Sequence, residues 1–218
     1  VHVSDFYDCL MQGRAGGYPA DIKVLYLTGC NLLNQWQNIN KGIQALKQPE
    51  FIVIHELFLT PTARYADLVL PVAHFLERQD LGQPWAGGTY NIIMEKAVAP
   101  DPQVKTDLEI FSELAFRLGI TGFNEKTDEE WLQDFTTASP GFPAYDRLKK
   151  EKIFHHTLKM PLVAFAPEIA DPAGHLFNTP SGKIEIFSTQ LYDCKNPAEI
   201  PPIPKYIQEW EHPFPEAL

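Results

Sequence analysis

The stretch "FIVIHELFLTPTARYADLVLPV", residues 51–72, constrains the fold more than any other part of the chain. Its first run, "FIVIH", is apolar without alternation, and so is "IKVLYLT" at residues 22–28. A strand with one wet face alternates apolar and polar residues. A continuous run marks a strand covered on both faces, as in a parallel sheet. Between the two runs lies "INKGIQALKQ", which reads as a helix. Strand, helix and strand within about 35 residues make a βαβ unit with a right-handed crossover. "ADLVLPV" is a third strand, ended by Pro71. These elements predict an α/β chain, a Rossmann-like layered fold with a mainly parallel sheet.

Downstream, "TDLEIFSELAFRLG" (106–119) is the clearest helix. Leu108, Phe111, Leu114, Ala115 and Leu118 share its apolar face. Thr106 and Glu109 form a capping-box pattern, and Gly119 supplies the stop. Thr127 opens a second helix by the same logic. "PAYDRLKKEKIF" is a third, with Lys149, Lys150 and Lys152 near its C-terminal end, where the dipole favours cations. After residue 160 the chain becomes Pro-rich. The turn at Ser181-Gly182 leads into "KIEIF", read as a strand. The tail from Asn196 carries six prolines, which suits an extended segment. The organisation expected is an α/β domain over 1–160 and an irregular, Pro-rich extension over 161–218.

The 218 residues carry a net charge of −10. That balance argues against nucleic acid or an anionic membrane surface as partner, without excluding a phosphorylated ligand held locally. Cys9, Cys30 and Cys194 are widely spaced with no C-x-x-C, so an iron–sulfur or zinc site within this chain is not expected. No apolar run is long enough to span a membrane. The opening "VHVSDFYDCL" is neither a signal peptide nor an initiator start, and the chain reads as a piece of something longer.

In open α/β sheets, ligands bind at the carboxyl ends of strands. Two such ends carry polar residues here: Gly29-Cys30-Asn31, and His55-Glu56 followed by Thr60 and Thr62. Asn31 can donate and accept. An ionised Glu56 only accepts, which suits the adjacent N–H donors of a guanine edge. The plain alternative is capping, with Thr60 as N-cap and Pro61 in the first helical position. Neither a P-loop nor a G-x-G-x-x-G pattern is present. His74, Glu77 and Arg78 read as a polar helical face. Asp107 reads as a dipole-stabilising residue, and His155-His156 as a helix-end pair rather than metal ligands.

"IKVLYLTGCNLLNQ", "FIVIHELFLTPTARYADLVLPVAHFLER", "KTDLEIFSELAFRLG" and "NTPSGKIEIFS" stand in order. Together they resemble the molybdopterin oxidoreductases of the dimethyl sulfoxide reductase family. The signature T-x-T-A-x-x-A-D-x-x-L-P runs from Thr60 to Pro71. The resemblance implies part of the third, α/β domain of a catalytic subunit, ending where a C-terminal barrel would begin. It implies a pterin guanine dinucleotide contacted by Asn31, His55, Glu56, Arg78 and Asp107, with Thr60 in a secondary role. "QDLGQPWAGGTYN" departs from the E-G stretch that follows the family's basic residue.

The same resemblance implies a parent with molybdopterin guanine dinucleotide, molybdenum or tungsten, and an iron–sulfur cluster. This segment alone is expected to be cofactor-free and inert. The partners implied are the parent's remaining domains, with iron–sulfur electron-transfer and membrane-anchor subunits. There would be no nucleic acid and no direct membrane insertion. The parent's compartment, exported or cytoplasmic, stays open. The other reading of the resemblance is a cofactor-free structural module within a larger respiratory complex.

Overall fold

A computed structural model describes residues 1–85, 88–157, 161 and 163–208. Contacts divide the chain into two compact units. The first comprises residues 1–25, 30–52 and the described residues beyond 160; the second comprises 26–29 and 53 onward to 157.

In the first unit, α1 (Phe6–Gln12), α2 (Leu32–Gln35) and α3 (Ile39–Ala45) pack around Tyr7, Leu10, Leu32, Leu33 and Leu46, all buried. Asn38 caps α3 by accepting from the Lys41 N–H. Gly42 lies on α3 where a Cβ would sit 2.8 Å from both Leu33 Cδ2 and the Tyr7 hydroxyl, so only glycine permits this approach. Lys41 reaches Asp8 at 2.5 Å and Glu199 at 2.8 Å. Asn196 bonds Asp5 and Glu199, and Ile200 is buried, so this part of the tail is fastened to the helices. The carboxylates of Asp5, Asp8 and Glu199 lie within 4.8 Å of one another. The Lys41 ammonium compensates the last two, which makes the cluster a salt-bridge network.

The second unit is built on β1 (Val24–Thr28), β2 (Phe51–Glu56) and β3 (Leu68–Pro71), in the order β1–β2–β3. The first residues of β1 and β2 belong to the other unit. Ile52 to His55 are buried in succession and β2 runs parallel to β3, pairing His55 with Leu70 and Glu56 with Pro71. Continuous hydrophobicity therefore did mark a covered parallel strand at β2; at β1, read the same way, burial alternates, with Leu25 and Leu27 buried and Val24 exposed.

A second, antiparallel sheet was not expected. It consists of β4 (Asp80–Gly82), β5 (Tyr90–Met94) and β6 (Ile153–His155) in that order. Two helices beside it follow α4 (Asp107–Arg117): α5 (Asp128–Ala138) and α6 (Tyr145–Glu151). Ile93, Leu132, Tyr145 and Leu148 form a buried cluster. Both expected capping boxes, Thr106/Glu109 and Thr127/Glu130, are present. Gly119 ends α4 at φ +72°, with its own N–H bonded to Phe116 O and that of Ile120 to Ala115 O, a Schellman closure.

Several local expectations need correction. "PAYDRLKKEKIF" is not one helix: Lys152 adopts φ +67°, ends α6, and Ile153-Phe154 join β6. Leu118 is the exposed C-cap of α4 rather than a core residue. "KIEIF" forms no strand, although the preceding turn forms with Gly182 at φ +67°. Ile184 and Ile186 stay exposed, because alternation makes a strand only when a neighbouring strand takes up its hydrogen bonds. Two short helices, α7 (Ala166–Ala170) and α8 (Thr189–Asp193), carried no periodic signal. Residues 86–87 of the departing loop and the tail from 209 lie outside the described residues.

Candidate functional site

The carboxyl end of β2 organises the candidate residues of the second unit. Parallel pairing puts His55 inward at 2% exposure, and both ring nitrogens find partners. Nδ1 lies 2.7 Å from Asp107 Oδ1 and Nε2 lies 2.8 Å from the Tyr26 hydroxyl. The ring also meets Phe111 and Tyr26, with centroids 5.1 and 5.3 Å away. Tyr26 carries a pKa raised above the usual phenol value, first by burial and then by the Asp107 charge. Its hydroxyl therefore stays protonated and able to donate.

Asp107 opens α4, where backbone N–H groups and the helix dipole favour a negative group. One of its oxygens is held by His55; its side chain is 48% exposed and the second oxygen has no partner among the described residues. This half-clamped carboxylate can accept N–H or O–H donors from a ligand.

Glu56 is turned to its own loop. Oε1 accepts from the Leu57 N–H at 2.9 Å and Oε2 from the Thr60 hydroxyl at 3.2 Å. Thr60 Oγ1 in turn accepts from the Ala63 N–H at 3.3 Å, and its carbonyl accepts from Arg64. Thr60 thus caps the turn after β2, but the helical residues proper are Ala63–Tyr65, in 3-10 geometry with Thr62 as N-cap. Capping and the carboxylate coexist in one network that shapes the loop.

Arg78 is not on a helical face. His74 and Glu77 close a capping box around the short turn Phe75–Glu77, and Arg78 leaves it in extended conformation. Its Nη2 pairs with Asp80 at 2.8 Å, while Nε is buried without a hydrogen-bond partner. A buried cationic N–H without an acceptor is costly and calls for one. Arg78 borders a cavity of about 520 Å3 together with Lys96, Thr106 and Glu109. Four carboxylates also stand on its wall: Glu77 and Glu109 are engaged with the backbone N–H groups of His74 and Thr106, Glu95 with Lys152, and Asp128 has no ion pair among the described residues. What the cavity offers an anionic group is local, the Arg78 guanidinium with its partnerless Nε and the Lys96 ammonium.

Asn31 belongs to the first unit. It is the N-cap of α2 without a side-chain cap bond; its N–H donates to Gln35 Oε1 at 2.9 Å and its carbonyl accepts from Asn34 and Gln35. Burial pushes the neighbouring Cys30 thiol up, so it is no activated nucleophile. The histidine pair at 155–156 is likewise structural: it lies at the end of β6, with His156 Nε2 2.5 Å from Asn91 Oδ1.

Among the expected residues, the structure brings His55 to Asp107, and Glu56 to Thr60. It joins Arg78 to the cavity beside Thr106. Sequence reasoning missed Tyr26, Phe111 and Lys96. Tyr26 and Phe111 looked like ordinary apolar positions, and only strand pairing and helix docking bring them to His55.

Comparisons with known proteins give the family and the fold. The molybdopterin oxidoreductase family matches residues 12–117. The trimethylamine-N-oxide reductase of Haemophilus influenzae is 35% identical over 82% of this chain and 24% of its own length. Dimethyl sulfoxide reductase DmsA of Escherichia coli is 33% identical over 93% of this chain and 27% of its own length. The chain thus spans about a quarter of the length of these relatives. The acetylene hydratase structure from Pelobacter acetylenicus shares the fold, with a TM-score of 0.59 at 23% identity over 93% of this chain and 26% of that one. With its signature on the turn between β2 and β3, and matched relatives along most of its length, this chain belongs to the molybdopterin oxidoreductases of the dimethyl sulfoxide reductase family.

Proposed function

We propose that the chain is a segment of the catalytic subunit of a molybdenum or tungsten bis-pterin guanine dinucleotide oxidoreductase, dimethyl sulfoxide reductase-like, and that it holds one of the two dinucleotides. Family membership implies a molybdenum–pterin cofactor; the guanine dinucleotide form and its residues are our reading. When bound, such a cofactor supplies the metal centre for oxygen-atom or electron transfer, while the protein supplies orientation and charge.

The observation that carries the reading is the Asp107 carboxylate, clamped on one side by buried His55 and open on the other at the start of α4. It would accept the N–H donors of guanine or the hydroxyls of ribose. Arg78, with its partnerless Nε, would take a phosphate, supported by Lys96. Glu56 and Thr60 would hold the loop after β2 in shape, with Glu56 lone pairs left for a ligand donor. Asn31 is retained as a contact on the family resemblance alone. The remaining domains of the parent subunit, and iron–sulfur and membrane-anchor subunits, are the partners this reading calls for.

The experiment is Asp107→Ala and Glu56→Ala in the longer parent enzyme, with molybdenum and released guanine measured per polypeptide. A fall in both contents is expected; unchanged contents in both variants would overturn the assignment. The 218-residue chain alone is expected to show no sulfoxide or N-oxide reduction, and measurable turnover would contradict that. A structural module without cofactor is the competing reading. It draws on the internal use of both Glu56 oxygens, and a parent purified in full occupancy with guanine dinucleotide refutes it.

A further inference from the structure

We infer that Tyr26, His55 and Asp107 form one directed hydrogen-bond chain, in which Tyr26 and His55 are positioning residues that fix the Asp107 carboxylate for a ligand carrying paired N–H or O–H donors. The inference rests on the reading of Asp107 above; it adds Tyr26, and it moves His55 from the direct contact that the resemblance implied to a supporting place, since its ring is buried with both nitrogens partnered.

The chemistry of the donors sets the direction. An ionised carboxylate only accepts, so the His55 Nδ1 at 2.7 Å carries the proton. In the neutral ring Nε2 is then an acceptor, and the Tyr26 hydroxyl at 2.8 Å donates to it. The ring is fully buried and sits against Phe111, which comes from the same helix that Asp107 opens. Imidazole rotation is therefore blocked from two sides, and Asp107 Oδ1 is held while Oδ2, on a half-exposed side chain, has no partner among the described residues. A carboxylate fixed in this way loses less side-chain freedom on binding than a free one. Tyr26, whose hydroxyl remains protonated, keeps the imidazole in the tautomer that serves Asp107.

Two measurements test this. In the 218-residue chain, 15N NMR of the imidazoles should show His55 as the Nδ1–H tautomer, with Nε2 shifted by Tyr26→Phe while the fold is kept. An Nε2–H tautomer would overturn the inference. In the longer parent enzyme, guanine dissociation is followed for Tyr26→Phe, Asp107→Asn and the double variant. Tyr26→Phe is expected to speed release about fivefold, as for one lost hydrogen bond. Asp107→Asn should speed it more, and the double variant should release no faster than Asp107→Asn alone. Multiplying effects, or no effect of Tyr26→Phe beside a clear effect of Asp107→Asn, would refute the positioning role. No effect of Asp107→Asn would instead refute the site reading on which it stands.

Discussion

Replacing Lys41 by Met tests the energetics of the first unit most directly. Lys41 stands at 17% side-chain exposure between Asp8 and Glu199, themselves 15% and 19% exposed. Met keeps the apolar stem and removes only the charge. Removing one partner from a buried ion pair costs about 3–5 kcal/mol, because the other charge stays buried and unpaired. The residual water access here reduces the loss to roughly 2–4 kcal/mol. Since tenfold corresponds to about 1.4 kcal/mol, hydrogen exchange should accelerate about 30- to 700-fold if opening limits it. The Ile200 amide, bonded to Asn196 O at 2.7 Å, and the Gly42 amide, bonded to Asn38 O at 2.9 Å, report it. Adding Asp8→Asn and Glu199→Gln should restore most of the protection. Exchange unchanged within threefold in Lys41→Met, or no recovery in the triple variant, would refute the reasoning. The pH dependence has a definite sign. Burial lowers the Lys41 pKa, but its two carboxylate partners outweigh that and leave it raised above the usual lysine value. Its contribution is therefore fully present below about pH 10, the unfolded lysine value, and is lost as pH rises through the higher folded one.

Further outcomes rest on single features. Thr127→Ala should loosen the first turn of α5 by about 1 kcal/mol, read from amide exchange at Glu130. The Glu130 carboxyl is held below the usual glutamate range, chiefly by the Thr127 backbone N–H. Its contribution should be present above about pH 4.3 and fade as pH falls through the lower folded value, and Glu130→Gln should abolish that acid dependence. Leu148→Ala, in a fully buried position, should cost about 2–5 kcal/mol in urea unfolding, whereas Phe116→Ala on the exposed side of α4 should stay within about 0.5 kcal/mol. Gly42→Ala should destabilise despite the better helix propensity of alanine, since the Leu33 and Tyr7 contacts at 2.8 Å leave no room; a stabilised variant in thermal unfolding would contradict this.

The features legible in the sequence share one physical property: their determinants are local. Continuous burial of β2, the end of β3 at Pro71, both capping boxes and the glycine stop of α4 each depend on residues within a turn or a strand of one another. A strand end also pointed to His55 and Glu56, and only the family resemblance joined Asp107, a helix-start residue, to them. What local pattern could not carry was partner choice. "KIEIF" alternates as a strand should and forms none, while the short segments Asp80–Gly82 and Ile153–His155 pair only through β5 between them. Nothing local to Lys41 names its partners, because Asp8 and Glu199 come from remote parts of the chain.

The sequence by itself thus determined the covered parallel strand, the capped helices and the set of polar residues at the strand ends, because hydrophobic period and capping act over a few residues. Only the tertiary structure decided which of those polar groups are spent on internal hydrogen bonds. Pairing of β2 with its neighbours turns His55 inward to Tyr26 and Asp107, and loop closure spends Glu56 on Thr60. Asp107 keeps one oxygen without a partner among the described residues, since hydrogen-bond partners tens of residues apart are chosen by packing.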